Sequence, residues 1–166
     1  MAVLAPDQAL IGLGANLGDA EATVRAAALA LGELPRTRLM ACSGLYRSAP
    51  WEAQGPEFIN AVALLETRLE PLALLDALQD LEHRFGRERP YPNAPRTLDL
   101  DLLMSGSRQL STPRLTLPHP RMHLRAFVLR PLFDVMPDLL IPGLHPQQPI
   151  RAWLTGTSDQ AISPLS

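Results

Sequence analysis

The stretch FINAVALLET at residues 58–67 decides how the rest of this chain is interpreted. Apolar residues follow one another along it, so the strand that it predicts has apolar side chains on both faces, as strands in the middle of a covered sheet do. A loop rich in proline and small residues, SAPWEAQGPE at 48–57, precedes it. The sequence therefore predicts that 58–67 is a central strand.

A helix and a further strand follow this central strand. Pro71 stands where a first-turn proline belongs, and Gly86 stands where a helix C-terminus favours glycine. Leucines and one phenylalanine between them form a stripe at helical spacing: Leu74, Leu78, Leu81 and Phe85. Residues 97–104, TLDLDLLM, begin with strict alternation, which predicts a strand.

The N-terminal part contains the same kinds of element. QALIGLG at 8–14 predicts a strand that runs into a glycine turn. Asp19 is expected to cap a helix that ends near Gly32, and the sequence of residues 37–47 predicts a second strand. The order is then strand, helix, strand, strand, helix, strand. This is the ferredoxin-like α+β plan, an antiparallel sheet with helices on one face.

The C-terminal part, 111–166, is interrupted by prolines and predicts an irregular extension. Nine of the 17 prolines follow residue 112, with Leu, Phe and Met between them, which favours packed loops over disorder. Short helical pieces are expected near 122–136 and 147–154. A chain of 166 residues is long enough for one compact domain, so 1–166 is expected to be a single domain.

Composition excludes several classes of protein. Apolar residues make up 46% of the chain and charged residues 19%, so the chain is not a disordered one. The net charge of −2 gives no general attraction to nucleic acid or membrane. All 15 basic residues are arginines, which excludes a Walker A loop, a pyridoxal Schiff base and the lysine of a protein-kinase site.

The compartment follows from similar arguments. Cys42 is the one cysteine, so no internal disulfide can form. The N-terminus lacks the basic region and the long apolar run of a signal peptide, and no stretch is apolar for the length of a membrane span. A cytoplasmic, monomeric protein is expected.

Asp99 and Asp101 are the sharpest chemical feature. Residues two apart in a strand face the same way, so both carboxylates project from one face while leucines cover the other. Two adjacent carboxylates repel each other unless a cation lies between them, and Mg²⁺ prefers oxygen ligands of this kind. The pattern alone is also compatible with a solvated strand face.

Arginines favour the metal interpretation. Nine of the 15 lie between Arg84 and Arg130, where the acids are only Glu88, Asp99 and Asp101. Arginine binds phosphate through two parallel hydrogen bonds. An acid pair within an arginine cluster indicates metal-assisted phosphoryl transfer.

Two further groups of residues could recognise a nucleotide or a flat heterocycle. Leu75, Gln79 and Glu82 lie on the flank of the predicted helix, where a base or ribose could bind or where an ordinary boundary face could lie. Phe58 and Asn60 share one strand face, and an aromatic ring beside an amide suits a flat heterocycle. The glycines of IGLGANLG at 11–18 do not have dinucleotide-binding spacing.

Several segments together resemble the 6-hydroxymethyl-7,8-dihydropterin pyrophosphokinase family of folate biosynthesis, over roughly residues 9–142. They are IGLGANLG at 11–18, LYRSAP at 45–50, FIN at 58–60, PRTLDLD at 95–101, LPH at 117–119 and RAF at 125–127. The resemblance implies the ferredoxin-like plan and transfer of the β,γ-pyrophosphate of ATP to the pterin hydroxymethyl oxygen, with release of AMP.

The resemblance also implies a role for each matching residue. Asp99 and Asp101 would hold two Mg²⁺ ions, and the catalytic set would be Arg87, Arg96, Asp99 and Asp101. Phosphates would contact Arg87, Arg96 and Arg125, with Arg89 and Arg114 assisting. The rest of the ATP site would be Leu75, Gln79, Glu82, Thr116 and His119. The pterin would be surrounded by Ser48, Ala49, Trp51, Phe58, Asn60 and Phe127.

Two other functions are compatible with parts of the pattern. An RNA-binding module on this element order would need exposed aromatics and a basic surface, whereas aromatics are 5% and the net charge is −2. A Mg²⁺-dependent phospho- or nucleotidyltransferase that acts on another flat heterocycle would share the acid pair, the arginines and the Phe58–Asn60 pair.

Overall fold

A computed structural model describes residues 2–49, 56–86 and 98–165. The βαββαβ part is present, and its elements are β1 (Gln8–Ala15), α1 (Ala20–Leu31), β2 (Thr37–Cys42), β3 (Tyr46–Ser48), β4 (Phe58–Thr67), α2 (Pro71–Arg84) and β5 (Asp99–Ser105). The strands lie in the order β5-β1-β4-β3, and β2 also pairs with β4. Every pairing among these strands is antiparallel, which confirms the ferredoxin-like α+β prediction.

The single strand predicted over 37–47 is in fact two strands. β2 pairs with the 63–67 end of β4, and β3 pairs with its 58–60 end. Ser43 lies between them: its backbone N–H donates to the Val62 carbonyl at 2.9 Å, and its Oγ accepts from the Val62 N–H at 2.9 Å. The chain thus stays attached to β4 across the break, which is why the sequence pattern shows no interruption.

Helices α1 and α2 pack on one face of the sheet. Asp19 caps α1 as predicted, because its Oδ1 accepts from the Ala22 N–H at 3.1 Å, and Pro71 occupies the first turn of α2. Apolar side chains of both helices meet alternate residues of the strands: Val24, Leu31, Leu74, Leu78 and Leu81 against Ile11, Leu13, Ile59, Leu65 and Leu100.

The C-terminal part is more regular than the prediction of an irregular extension. It contains β6 (Leu110–Ser111), β7 (Thr116–Leu117), a 3-10 helix (Met122–Leu124), α3 (Ala126–Val135), α4 (Ile150–Thr155) and β8 (Ile162–Pro164). The expected helical pieces near 122–136 and 147–154 are confirmed. β8 was not expected: it pairs with β3 and extends the sheet.

The extension also places helices on the second face of the sheet, so the expectation of helices on one face alone is wrong. Side chains of α3 and α4 bury the strand residues that point away from α1 and α2: Leu10, Val62, Leu64 and Met104 against Val128, Leu129, Leu132 and Ile150. The cause is visible in β4, whose apolar residues on both faces require cover on both sides. Within the described ranges, no helix combines the length and hydropathy that crossing a membrane requires.

Candidate active site

A cavity of about 610 Å³ lies between the sheet and the start of α3, on the face opposite α1 and α2. Four neighbouring strands form its floor: β5 with Asp99 and Asp101, β1 with Gly12 and Gly14, β4 with Phe58 and Asn60, and β3 with Ser48. Its walls are residues 125–128 at the start of α3 and residues 159–161 before β8. The floor therefore presents acids at one end and an aromatic–amide pair at the other.

The two carboxylates lie side by side on the cavity face, as the alternation predicts. Asp99 is half-buried and Asp101 exposed, whereas Leu100 between them is buried in the core on the opposite face. Gly14 pairs with Asp99 and Gly12 pairs with Asp101 across the strands. Because these glycines carry no side chain, the floor next to the carboxylates is open. Both glycines lie within β1, and the strand continues to Ala15, one residue beyond its predicted end.

Asn60 and Ser48 form a buried polar pair at the other end of the floor. Asn60 Nδ2 donates to Ser48 Oγ at 2.7 Å. Asn60 Oδ1 lies 3.4 Å from the position that a Cβ on Gly14 would occupy. An acceptor oxygen is thus directed toward the open floor, and its orientation is fixed by the bond to Ser48.

Phe127 and Phe58 line the same cavity from opposite elements, the start of α3 and the start of β4. Both rings are half-buried. The guanidinium carbon of Arg125 lies 5.4 Å from the centre of the Phe127 ring, so a cation and an aromatic face are held together at the cavity wall. Ala49 also lines the cavity, beside Ser48.

The charge of Asp101 affects the pKa of both His119 and Arg125. Burial lowers the pKa of the His119 imidazole, Asp101 acts in the opposite direction, and Arg125 and Arg121 lower it further. Burial also lowers the pKa of Arg125, while Asp101 raises it. His119 Nδ1 accepts from the Arg121 N–H at 3.1 Å. In the neutral ring the proton is therefore on Nε2, which is a hydrogen-bond donor.

The predicted nucleotide residues on α2 lie on the face of the sheet opposite the cavity. Glu82 is 4% exposed, and its Oε2 accepts from the Leu100 N–H at 2.9 Å. Leu75 is half-buried against the core beneath α2, and Gln79 is exposed. None of the three belongs to the lining of the cavity as the described residues define it.

The remaining described members of the predicted ATP site lie near the same strand. The backbone N–H of His119 donates to the Leu103 carbonyl of β5 at 2.8 Å. Arg114 is exposed and forms an ion pair with Asp76 of α2, with N and O atoms 2.6 Å apart. Thr116 is exposed on β7, which contacts β5. His119 and Thr116 thus lie close to the strand that carries the two carboxylates.

Four predicted site residues lie outside the described residues: Trp51, Arg87, Arg89 and Arg96. Among the residues that are described, no three His, Cys, Asp or Glu side chains form a group that could hold a metal ion. Asp99 and Asp101 supply two carboxylates, which is the number that Mg²⁺ commonly takes from a protein when substrate phosphates provide further oxygens.

The comparison with known families agrees with this arrangement. The family model described as 7,8-dihydro-6-hydroxymethylpterin-pyrophosphokinase (HPPK) matches residues 10–137. The chain belongs to the HPPK family. The match spans the whole floor of the cavity and the start of α3, and it leaves out only residues 159–161 of the lining.

Similar proteins are named consistently with HPPK membership. A Pseudomonas aeruginosa protein named 2-amino-4-hydroxy-6-hydroxymethyldihydropteridine pyrophosphokinase is 50% identical over 137 residues, which cover 81% of this chain and 85% of that protein. A Haemophilus influenzae protein of the same name is 44% identical over 136 residues, with coverages of 81% and 85%.

Solved structures show the same fold. A crystal structure of an HPPK-DHPS protein in complex with substrates superposes with a TM-score of 0.76 at 13% identity, covering 93% of this chain and 44% of that one. This chain therefore corresponds to under half of that protein. A Plasmodium falciparum HPPK-DHPS variant superposes with a TM-score of 0.71 at 15% identity, over 92% of this chain and 44% of that one.

Sequence reasoning missed part of the lining. Gly12 and Gly14 could have been found, because two glycines at alternate positions of a strand leave one face without side chains. Residues 159–161 gave no signal, because a short polar segment of this composition resembles any turn. They also lie beyond residue 137, where the HPPK match ends.

Proposed function

We propose that this protein transfers the β,γ-pyrophosphate of ATP to the hydroxymethyl group of 6-hydroxymethyl-7,8-dihydropterin, giving AMP and the pterin diphosphate, a step in folate biosynthesis. Membership of the HPPK family supports this function, as do relatives up to 50% identical that bear the pyrophosphokinase name. The observation that carries it is one cavity that is lined by two carboxylates and an arginine and also by Phe58, Asn60 and Phe127.

The pterin ring lies over β4 and β3 in this proposal. Asn60 Oδ1 accepts from ring N–H or amino groups, while Phe58 and Phe127 stack on the ring faces. Ser48 holds the amide through the 2.7 Å bond, and Ala49 lines the cavity beside it. Trp51 is assigned to the pterin in the same proposal, on the family resemblance. β4 and β5 are two strand spacings apart, roughly 10 Å. A bicyclic ring over β4 can therefore direct its hydroxymethyl group toward the carboxylates.

Asp99 and Asp101 would hold Mg²⁺, with two ions expected. The fit rests on their shared face, on the hard oxygen donors that they supply and on the open floor at Gly12 and Gly14. When bound, Mg²⁺ neutralises charge on the triphosphate and lowers the pKa of the acceptor hydroxyl. In this proposal the carboxylates would hold that charge close to the pterin hydroxymethyl group.

Arginines would neutralise the triphosphate oxygens as the pyrophosphoryl group moves. Arg125 lines the cavity, and it is close enough to Asp101 for this carboxylate to raise the pKa of the guanidinium. Arg87 and Arg96 are assigned to phosphates in the same proposal, with Arg89 and Arg114 assisting. His119, kept neutral, would donate from Nε2 to the nucleotide, while Leu75, Gln79, Glu82 and Thr116 line or support the rest of the ATP site.

A second candidate keeps the same machinery but changes the acceptor. The Asn60–Ser48 pair beside aromatic rings would accommodate other flat heterocycles with donor groups. The two candidates are separated by supplying ATP and Mg²⁺ with the pterin, with nucleosides or with sugars. AMP formation that depends on the pterin supports the proposed function, whereas ADP formation or preference for another acceptor supports the second. A single domain over 1–166, a monomeric state and a cytoplasmic location stay predictions.

A further inference from the structure

The side-chain amide of Gln160 bridges the two backbone groups on either side of Arg125. Its Oε1 accepts from the Ala126 N–H at 2.8 Å, and its Nε2 donates to the Leu124 carbonyl at 2.7 Å. Gln160 follows Ala126 by 34 positions, so the two bonds join distant parts of the chain. The side-chain amide of Gln160 thus uses its oxygen and its nitrogen as a neighbouring strand uses a backbone C=O and N–H to pair with an extended backbone.

These bonds act at a point where the backbone changes conformation. Arg125 has an extended backbone with φ −116° and ψ 115°, and α3 begins at the next residue. The side chain of Arg125, the N-cap position, forms no capping hydrogen bond. The first N–H groups of a helix have no partner within the helix. Gln160 therefore supplies, from a distance in the sequence, an acceptor for the first of these N–H groups.

Gln160 is itself fixed to the sheet. Its backbone N–H donates to the carbonyl of Thr157 at 2.9 Å, and Thr157 is 4% exposed. Two residues later β8 begins, and Ile162 pairs with Ser48 of β3. The chain thus connects the pterin end of the cavity floor, through β8 and Gln160, to the wall that carries Arg125 and Phe127.

We propose that Gln160 is a positioning residue that holds Arg125 and Phe127 in place at the cavity wall and so sets the affinity for the pterin. The proposal rests on the proposed function, because it assigns Phe127 to the pterin. Gln160 acts through the backbone of Leu124 and Ala126, and Arg125 and Phe127 are the side chains that this backbone aims. The Arg125 guanidinium lies 5.4 Å from the centre of the Phe127 ring, so the two side chains contact each other at this wall.

Gln160→Ala removes both bonds, and we expect β8 and α3 to remain folded because their own backbone hydrogen bonds do not involve the Gln160 side chain. Because two hydrogen bonds of ordinary strength are lost, we expect pterin affinity to fall about tenfold. The matched control is Gln147→Ala. Gln147 Nε2 also donates to backbone carbonyls, those of Ile141 and Leu144 at 3.2 Å each, but Gln147 does not line the cavity. The control should keep wild-type affinity.

Two measurements test the proposal. The first is hydrogen exchange of the Ala126 amide in the ligand-free protein, which should accelerate in Gln160→Ala and not in Gln147→Ala. The second is calorimetric pterin affinity, with Mg²⁺ and a nonhydrolysable ATP analogue, in a cycle of Gln160→Ala and Phe127→Ala. The loss caused by Gln160→Ala should nearly vanish in the Phe127→Ala background, which a loss of general stability would not produce.

Failure of the positioning role and failure of the proposed function give different results. Unchanged Ala126 exchange, or an equal affinity loss in both backgrounds, overturns the positioning role. A wild-type protein that does not bind the pterin at all overturns the proposed function and the link to affinity, while exchange at Ala126 still reports whether Gln160 holds the start of α3.

Discussion

Glu82 Oε2 accepts a hydrogen bond from the Leu100 N–H at 2.9 Å, and Leu100 stands between the two aspartates of the cavity floor. Glu82 belongs to α2, on the face of the sheet opposite the cavity. The hydrogen bond therefore attaches α2 to the backbone of β5 at Leu100, the residue that separates Asp99 from Asp101. Glu82 was predicted as a nucleotide contact, and the bond adds a structural role that the sequence did not indicate.

Removal of this acceptor should destabilise the protein. Glu82→Ala leaves the buried Leu100 N–H without the Glu82 carboxylate, so we expect the free energy of unfolding to fall by about 1–3 kcal/mol. Glu82→Gln keeps an acceptor oxygen and should lose less. Urea unfolding of both variants measures the difference, with the exposed Asp80→Ala on the same helix as control. Equal losses for Ala and Gln would contradict the hydrogen-bond explanation.

The carboxylate pair should be required for turnover and dispensable for folding. Metal-ion stabilisation of a phosphoryl-transfer transition state is worth several kcal/mol, so Asp99→Ala and Asp101→Ala should each lower kcat by at least about a hundredfold. Asp101→Asn should be nearly as harmful, because an amide does not neutralise a cation. Steady-state kinetics with varied Mg²⁺, alongside thermal unfolding, provide the test. A folded variant with near-normal Mg²⁺-dependent turnover would show that the metal assignment is wrong.

Phe127→Ala should weaken pterin binding selectively. Stacking of a base on an aromatic side chain contributes ~1–3 kcal/mol, and we expect a loss of this size for the pterin with little change for ATP. Calorimetric titration of each substrate measures both. If ATP affinity falls and pterin affinity does not, Phe127 belongs to the nucleotide site.

Tyr46 links β3 to α3 and gives the stability a dependence on alkaline pH. Its hydroxyl donates to Asp134 Oδ2 at 2.6 Å, and burial together with Asp134 raises its pKa from 10.0 to about 12. A raised pKa means that the folded state retains the proton longer than the unfolded state. The stabilisation is complete below pH 10 and is lost as the pH rises from 10 toward 12.

Tyr46→Phe exposes this contribution. The wild type should be more stable than the variant by about 1 kcal/mol at pH 7, and the gap should shrink through pH 10–11. Chemical denaturation at a series of pH values measures the gap. A gap that stays constant up to pH 11 would show that the tyrosine proton is not coupled to folding.

Local patterns were sufficient for the strands and helices of the βαββαβ part and for the shared face of Asp99 and Asp101, because these depend on periodicity within a few residues. The break at Ser43 was hidden because its bonds to Val62 come from a distant strand. β8 and Gln160 were missed for the same reason. Their partners lie on β3 and at the start of α3, and nothing in the spacing of residues 157–164 indicates those contacts.

The fate of the β-phosphate of ATP tests the central claim most directly. The wild-type protein is incubated with Mg²⁺, 6-hydroxymethyl-7,8-dihydropterin and ATP labelled at the β-phosphate, and the products are separated, with Asp101→Asn as the inactive control. Pyrophosphoryl transfer predicts that the label moves to the pterin in equal amount to the AMP formed. Label that stays in ADP, or nucleotide turnover that does not depend on the pterin, would contradict the account.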